Sequence, residues 1–185
     1  MAAPSKHDAL SLPELSPAPS VLIVVAPFYR AIADNLVAGA QRVLVASASQ
    51  IEVLEVPGAL EVPTAIRLAS EANRFEGYVA LGCVIRGETT HYETVCNDSS
   101  RALSLLGVER GLAIGNGILT CETMAQAQVR ADPDDMDKGG GAAIAALHLI
   151  ALARRFRAQG PAGTRRTIPD DADIILAAAR HPRTA

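Results

Sequence analysis

Apolar positions along this chain alternate between two rhythms. "VLIVVAP" (Val21–Pro27) is a continuous, β-branched apolar run stopped by Pro, the pattern of a buried strand. "RAIADNLVAGAQRVL" follows, with Ile32, Leu36, Ala40, Val43 and Leu44 on one helical face. "IEVLEVPG" (Ile51–Gly58) reads as a second strand ended by Pro57-Gly58, and "EVPTAIRLASEAN" as a helix with Pro63 near its start, where a missing N–H costs little. "GYVALGCVI" predicts a third strand. "THYETVCNDSSRALSLL" predicts a helix with Tyr92, Val95, Cys96, Ser99 and Leu103 in line. "GLAIGNGIL" predicts a fourth strand. "ETMAQAQVRAD" reads as a short helix and "KGGGAAIAALHLIALARRFRA" as a long one.

Strand and helix thus alternate four times. This predicts an α/β domain of three layers, a four-stranded parallel sheet with helices on both faces, in the manner of the flavodoxin-like folds. Residues 1–20, rich in Pro, Ser and Ala and without a charged-then-apolar leader pattern, read as a disordered tail. The domain is expected over 21–158, and 159–185 as a flexible extension. Ligands on such sheets bind outside the carboxyl ends of the strands. Attention therefore falls on Pro27-Phe28, on 57–61, on 85–91 and on 116–121.

Composition narrows the chemistry. With 185 residues, 49% hydrophobic and 20% charged, the chain has the profile of one ordinary globular domain with tails. A net charge of −3 offers no basic footprint for nucleic acid or an anionic membrane, and no apolar run approaches the ~20 residues of a membrane span. Three cysteines without C-x-x-C spacing suit a reducing cytoplasm and neither a disulfide framework nor a zinc site. No metal-ligand spacing, Ser-His-Asp set, phosphate-binding G-x-x-x-x-G-K-[ST] or G-x-G-x-x-G pattern appears.

Candidate chemistry concentrates in "VIRGETTHYETVC" (Val84–Cys96). Thr90 to Glu93 has the form of a capping box, so a helix is expected to start near His91. With Gly87 just before it, the N–H groups of Glu88 and Thr89 offer an anion site. A His there suits proton transfer; the plain alternative is a well-capped turn with a solvated His. Arg86 reads as structural, pairing with carboxylates. In "VPGALE", Gly58 permits close backbone approach at Ala59 and Leu60, and Glu61 either accepts from ligand hydroxyls or simply complements the helix dipole. Phe28 can stack on a flat heterocycle or fold back into the core. Arg130 and Lys138 flank the acidic run "ADPDDMD"; as a pair they suggest phosphate, singly they are surface charges.

"VPGALEVP", "GCVIRGETTHYETVC", "NGILTCETMAQAQVRA" and "DKGGGAA", in this order and spacing, closely resemble the lumazine synthase family over about residues 21–157. The resemblance implies condensation of 5-amino-6-(ribitylamino)uracil with 3,4-dihydroxy-2-butanone 4-phosphate, the penultimate step of riboflavin biosynthesis, without a cofactor. It implies Phe28 stacked on the pyrimidine, Ala59, Leu60 and Glu61 on the ribityl chain, and Cys83, Val84 and Ile85 as the edge that reads the ring. Glu88 and Thr89 match the phosphate loop and His91 the proposed proton-transfer residue. Asn116, Arg130 and Lys138 match residues that the family brings from a neighbouring subunit. Many members carry an aromatic at the place of Asn116 and an acidic residue at that of Gly141. The resemblance further implies a ring of five subunits, and "AAIAALHLIALA" (Ala142–Ala153), apolar on nearly every side, calls for a partner. Capsid-forming members of the family tend to carry a Gly- and Lys-containing turn where this chain has the acidic run, so the resemblance implies a free pentamer, with a decamer or sixty-subunit capsid as the alternative. Two other readings compete: a ring-binding protein without catalysis, in which Thr89, His91, Arg130 and Lys138 would be superfluous, and a shell whose assembly is its function.

Overall fold

A computed structural model of the chain describes residues 10–160. Of the tails expected at 1–20 and 159–185, residues 1–9 and 161–185 lie outside the described residues. Residues 10–19 carry no helix or strand, yet Leu15 packs against the core and the Pro19 carbonyl accepts from Gln50 N–H at 2.9 Å.

Among the described residues nine elements follow in the expected alternation. They are β1 (Ser20–Val25), α1 (Arg30–Ala46), β2 (Gln50–Glu55), α2 (Glu61–Glu71), β3 (Gly77–Ile85), α3 (His91–Arg110), β4 (Ala113–Cys121), α4 (Met124–Ala131) and α5 (Lys138–Gln159). All strand pairs are parallel, in the order β2-β1-β3-β4. The compact unit that holds the sheet ends at Ala153; from Arg154 the described chain continues as helix to Gln159.

Burial explains the patterns. β1 and β3 are covered on both faces, so their apolar runs are unbroken. β4 alternates strictly, with Ala113, Gly115, Gly117, Leu119 and Cys121 buried and Asn116 and Thr120 exposed. β2 is the opposite edge and is largely exposed. One core cluster joins α1, α4 and α5 to one face of the sheet. The other joins α2 and α3 to the opposite face, where Tyr78 is 2% exposed. Of the expected α1 face, Ile32, Leu36, Ala40 and Leu44 are buried, whereas Val43 sits at the rim.

Gly115 marks a close approach. A Cβ there would lie 1.8 Å from the Ala142 carbonyl oxygen. α5 can therefore lie directly on β4 only with glycine at this position.

Candidate functional site

Parallel pairing brings every strand's carboxyl end to the same side, and the chain reverses its winding between β1 and β3. A cavity of about 470 Å³ opens there. Phe28 and Tyr29 line it from the turn after β1, and Gly58 to Glu61 from the start of α2. Cys83, Val84 and Ile85 contribute the end of β3, and Gly87, Thr89, His91 and Tyr92 the following turn and first turn of α3. Phe28 does not fold into the core: it is 75% exposed and meets Tyr29 edge-on at 5.0 Å. The turn that presents it is tied down by Arg30, which grips the Glu55 carboxylate with both guanidinium ends at 2.5 and 3.1 Å.

Glu61 starts α2 as expected. A Cβ on Gly58 would come within 2.9 Å of its Oε2. The room that Gly58 leaves is thus partly taken by the Glu61 carboxylate, which folds back over the turn.

The capping box at the start of α3 does not form. Thr90 makes no side-chain cap bond, and Glu93 turns away to pair with Arg86. His91 N–H donates to Thr89 Oγ1 at 3.4 Å. Arg86 has the structural role expected of it: its Nε donates to Glu122 Oε2 at 2.7 Å, its Nη1 bonds Glu93, and its guanidinium lies 4.2 Å over the Tyr92 ring. Glu88 stands exposed on the loop, outside the cavity lining.

Cys83 is buried at the back of the cavity. Burial first, and then neighbouring Cys121, push its thiol up to about 12. It stays a neutral thiol near neutrality and offers a ligand its backbone edge, not a nucleophile. Cys83, Cys96 and Cys121 are all free. Among the described residues no three His, Cys, Asp or Glu side chains cluster as metal ligands.

Asn116, Arg130 and Lys138 do not reach this cavity. They line a second one, of about 380 Å³, between edge strand β4 and helix α5, together with Thr120 and Gly141. Asn116 Oδ1 accepts from Ile118 N–H at 3.0 Å, which covers part of the strand edge. Arg130 Nη1 donates to the Gln126 carbonyl at 3.2 Å. Lys138 opens α5 and is placed by Asp137, a residue that sequence reasoning passed over. Asp137 holds a positive φ of 42° and caps α5, its Oδ1 accepting from Gly140 N–H at 2.9 Å. Its Oδ2 accepts from Arg42 at 2.9 Å, which binds Asp134 as well. The acidic run is therefore a braced turn between two cations of one cavity.

One chain thus carries two cavities: a larger, mostly apolar one lined by His91 and the turn before α3, and a basic one along the outer edge of the sheet. A family model described as 6,7-dimethyl-8-ribityllumazine synthase matches residues 18–154, which contain both. The chain belongs to that family. It is 52% identical over 158 residues to the 6,7-dimethyl-8-ribityllumazine synthase of Jannaschia sp., covering 85% of this chain and 88% of the relative. It is 55% identical over 135 residues to the enzyme of that name from Novosphingobium aromaticivorans, covering 73% and 96%. A third, from Bartonella tribocorum, is 55% identical over 145 residues, covering 77% and 95%. The lumazine synthase family membership makes this chain an enzyme, a transferase of riboflavin biosynthesis. The parallel sheet in the order β2-β1-β3-β4 agrees with the flavodoxin-like fold expected for it.

Proposed function

We propose that this chain condenses 5-amino-6-(ribitylamino)uracil with 3,4-dihydroxy-2-butanone 4-phosphate to 6,7-dimethyl-8-ribityllumazine, in active sites completed between neighbouring subunits. The observation that carries this reading is the division of the candidate residues between two cavities of one chain. Neither suffices: the larger pocket lacks a cation among its lining residues, and the basic pocket lacks an aromatic. A neighbour's basic pocket set against the larger one supplies both.

In the joined site Phe28 stacks on the pyrimidine and the backbone of Cys83, Val84 and Ile85 reads its polar edge. Ala59, Leu60 and Glu61 hold the ribityl chain. The phosphate lies on the turn of Glu88 and Thr89, with Arg130 and Lys138 of the neighbour opposite, a fork and a point charge. The pyrimidine's amine attacks the ketone, and loss of water gives an imine. Phosphate then leaves, and closure of the second ring releases another water. His91, at the cavity wall, carries the protons these steps exchange. Much of the acceleration is expected from holding two substrates in register.

The same arrangement favours a closed ring, with five subunits as the favoured count. A site shared head to tail needs two different surfaces, and such contacts close into a ring when the rotation between copies closes. Leu68 on α2 and Leu105 and Val108 on α3 are exposed on one side of the sheet, Val108 at 86%. Leu149 and Leu152 of α5 are exposed on the other. No helix among the described residues is long and apolar enough to cross a membrane. The three free thiols fit a reducing cytoplasm.

The test is direct. Purified protein mixed with both substrates should develop lumazine fluorescence and release phosphate. Fluorescence absent while the pyrimidine still binds would support a ring-binding protein instead.

A further inference from the structure

Arg86 and Glu122 occupy equivalent places. Ile85 and Cys121 are register partners at the ends of β3 and β4, and each charged residue is the next in its chain. Arg86 N–H still donates to the Cys121 carbonyl at 2.9 Å, extending the ladder by one bond. Beyond it the guanidinium is held on three sides, by Glu122, by Glu93 and by the Tyr92 ring. Glu93 and Tyr92 belong to the first turn of α3 and follow His91 directly. Thr90 supplies no side-chain cap, and this grip ties the turn to the ends of β3 and β4.

Glu122 reaches further. Its N–H donates to Gln126 Oε1 at 2.9 Å, and the Gln126 carbonyl accepts from Arg130. One guanidinium therefore stands in a continuous bonded path between the His91 turn and the helix that presents Arg130. It also neutralises two carboxylates, Glu93 and Glu122, next to a turn read here as the seat of a phosphate.

We propose that Arg86, working through its pairs with Glu122 and Glu93, is the positioning residue that fixes the Gly87–His91 turn for reaction. It lines neither cavity and is not a catalytic residue. The inference rests on the condensation proposed above. A planar fork is required, since three partners surround one guanidinium and an ammonium cannot satisfy them together.

The experiment compares wild type, Arg86→Ala, Arg86→Lys and Glu122→Gln. Turnover is measured with both substrates, and amide hydrogen exchange of the peptide covering residues 87–92 is measured without any ligand. Arg86→Ala is expected to lower kcat roughly ten- to a hundred-fold, the cost of a misplaced reacting group, with little change in KM for the pyrimidine. Arg86→Lys should recover only a small part, and exchange at 87–92 should quicken in both. Glu122→Gln, at an exposed side chain, guards against a folding failure at Arg86 and should show the same exchange effect more weakly. Full recovery by Arg86→Lys would make the role one of charge alone and overturn the proposal. Unchanged exchange at 87–92 in Arg86→Ala would overturn it too. If wild type itself makes no lumazine, the condensation reading fails, while the exchange comparison still decides what Arg86 does.

Discussion

Gly139 is where a single methyl group should separate the two cavities. It is the second residue of α5, beside Lys138, and it packs on the backbone of α1. A Cβ there would lie 2.0 Å from the Leu36 oxygen, 2.8 Å from its carbonyl carbon and 2.9 Å from its Cα. Backbone cannot rotate away as a side-chain tip can. Reaching an ordinary contact of 3.4 Å requires the helix start to move by 3.4 − 2.0 = 1.4 Å. Overpacking typically costs about 1–3 kcal/mol, and this site belongs at the upper end. Alanine regains at most about 1 kcal/mol of helix propensity. Gly139→Ala should thus lose about 2 kcal/mol. Gly141→Ala is the control: nothing lies within 4 Å of its added Cβ, so it should be neutral or stabilised by up to about 1 kcal/mol. Urea unfolding at one fixed protein concentration measures both. Because the displacement carries Lys138 with it, Gly139→Ala should also lose use of the phosphorylated substrate roughly ten- to a hundred-fold. Affinity for a pyrimidine analogue in the larger cavity should hardly change. A Gly139→Ala protein as stable as Gly141→Ala, with unaltered phosphate use, would refute the packing argument and the placement of Lys138 together.

Four further outcomes are expected. His91→Ala should slow turnover by about 10²–10⁴-fold without abolishing it, since substrate alignment survives; wild-type rates across pH would remove His91 from the mechanism. Arg130→Ala should weaken use of the phosphorylated substrate by roughly ten- to a hundred-fold, the cost of a lost charge-assisted bond, and calorimetry showing pyrimidine analogues weakened instead would reverse the assignment. Cys83, with its thiol raised to about 12, should resist iodoacetamide at neutral pH and react faster only as the pH climbs toward that value, because the thiolate is the reactive form; rapid labelling at pH 7, located by peptide mass, would contradict the burial seen here. Light scattering of active protein should give the mass of a ring, five subunits by preference, and a fully active monomer would sink the shared site.

Much of this was written in the hydrophobic rhythm, because the sheet's geometry imposes it. β1 and β3 lie under helices on both faces and must be apolar throughout, while β4 alternates. The larger cavity was legible too, since parallel strands send their carboxyl ends to one side whatever the details. What escaped were choices among competing partners. Thr90 and Glu93 spell a cap, yet a carboxylate bonds a guanidinium more strongly than a neutral backbone N–H, and Arg86 lies within reach. That Glu122 would complete the grip depends on β3 and β4 ending in register, which spacing alone does not reveal. Asp137 left one faint signal, an acidic residue just before a helix rich in Gly. Its partner Arg42 stands far back on α1, and only the folded chain brings them together.

The separation of the candidate residues follows from the same sheet. Winding reverses between β1 and β3, so the pocket forms beside the two central strands. Among the described residues β4 has one neighbour, β3, and its outer edge is open to the Asn116 side. Residues after β4 build α4 and α5 on the α1 face, and their cations gather along that outer edge. His91 lines the larger cavity, whereas Arg130 and Lys138 line the one at the outer edge of β4. The condensation proposed above joins the two chemistries through a second copy set edge to pocket. On that proposal the contact repeats head to tail, and it closes a ring where the rotation between copies closes, so the location of two cations in the sequence bears on how the molecule assembles.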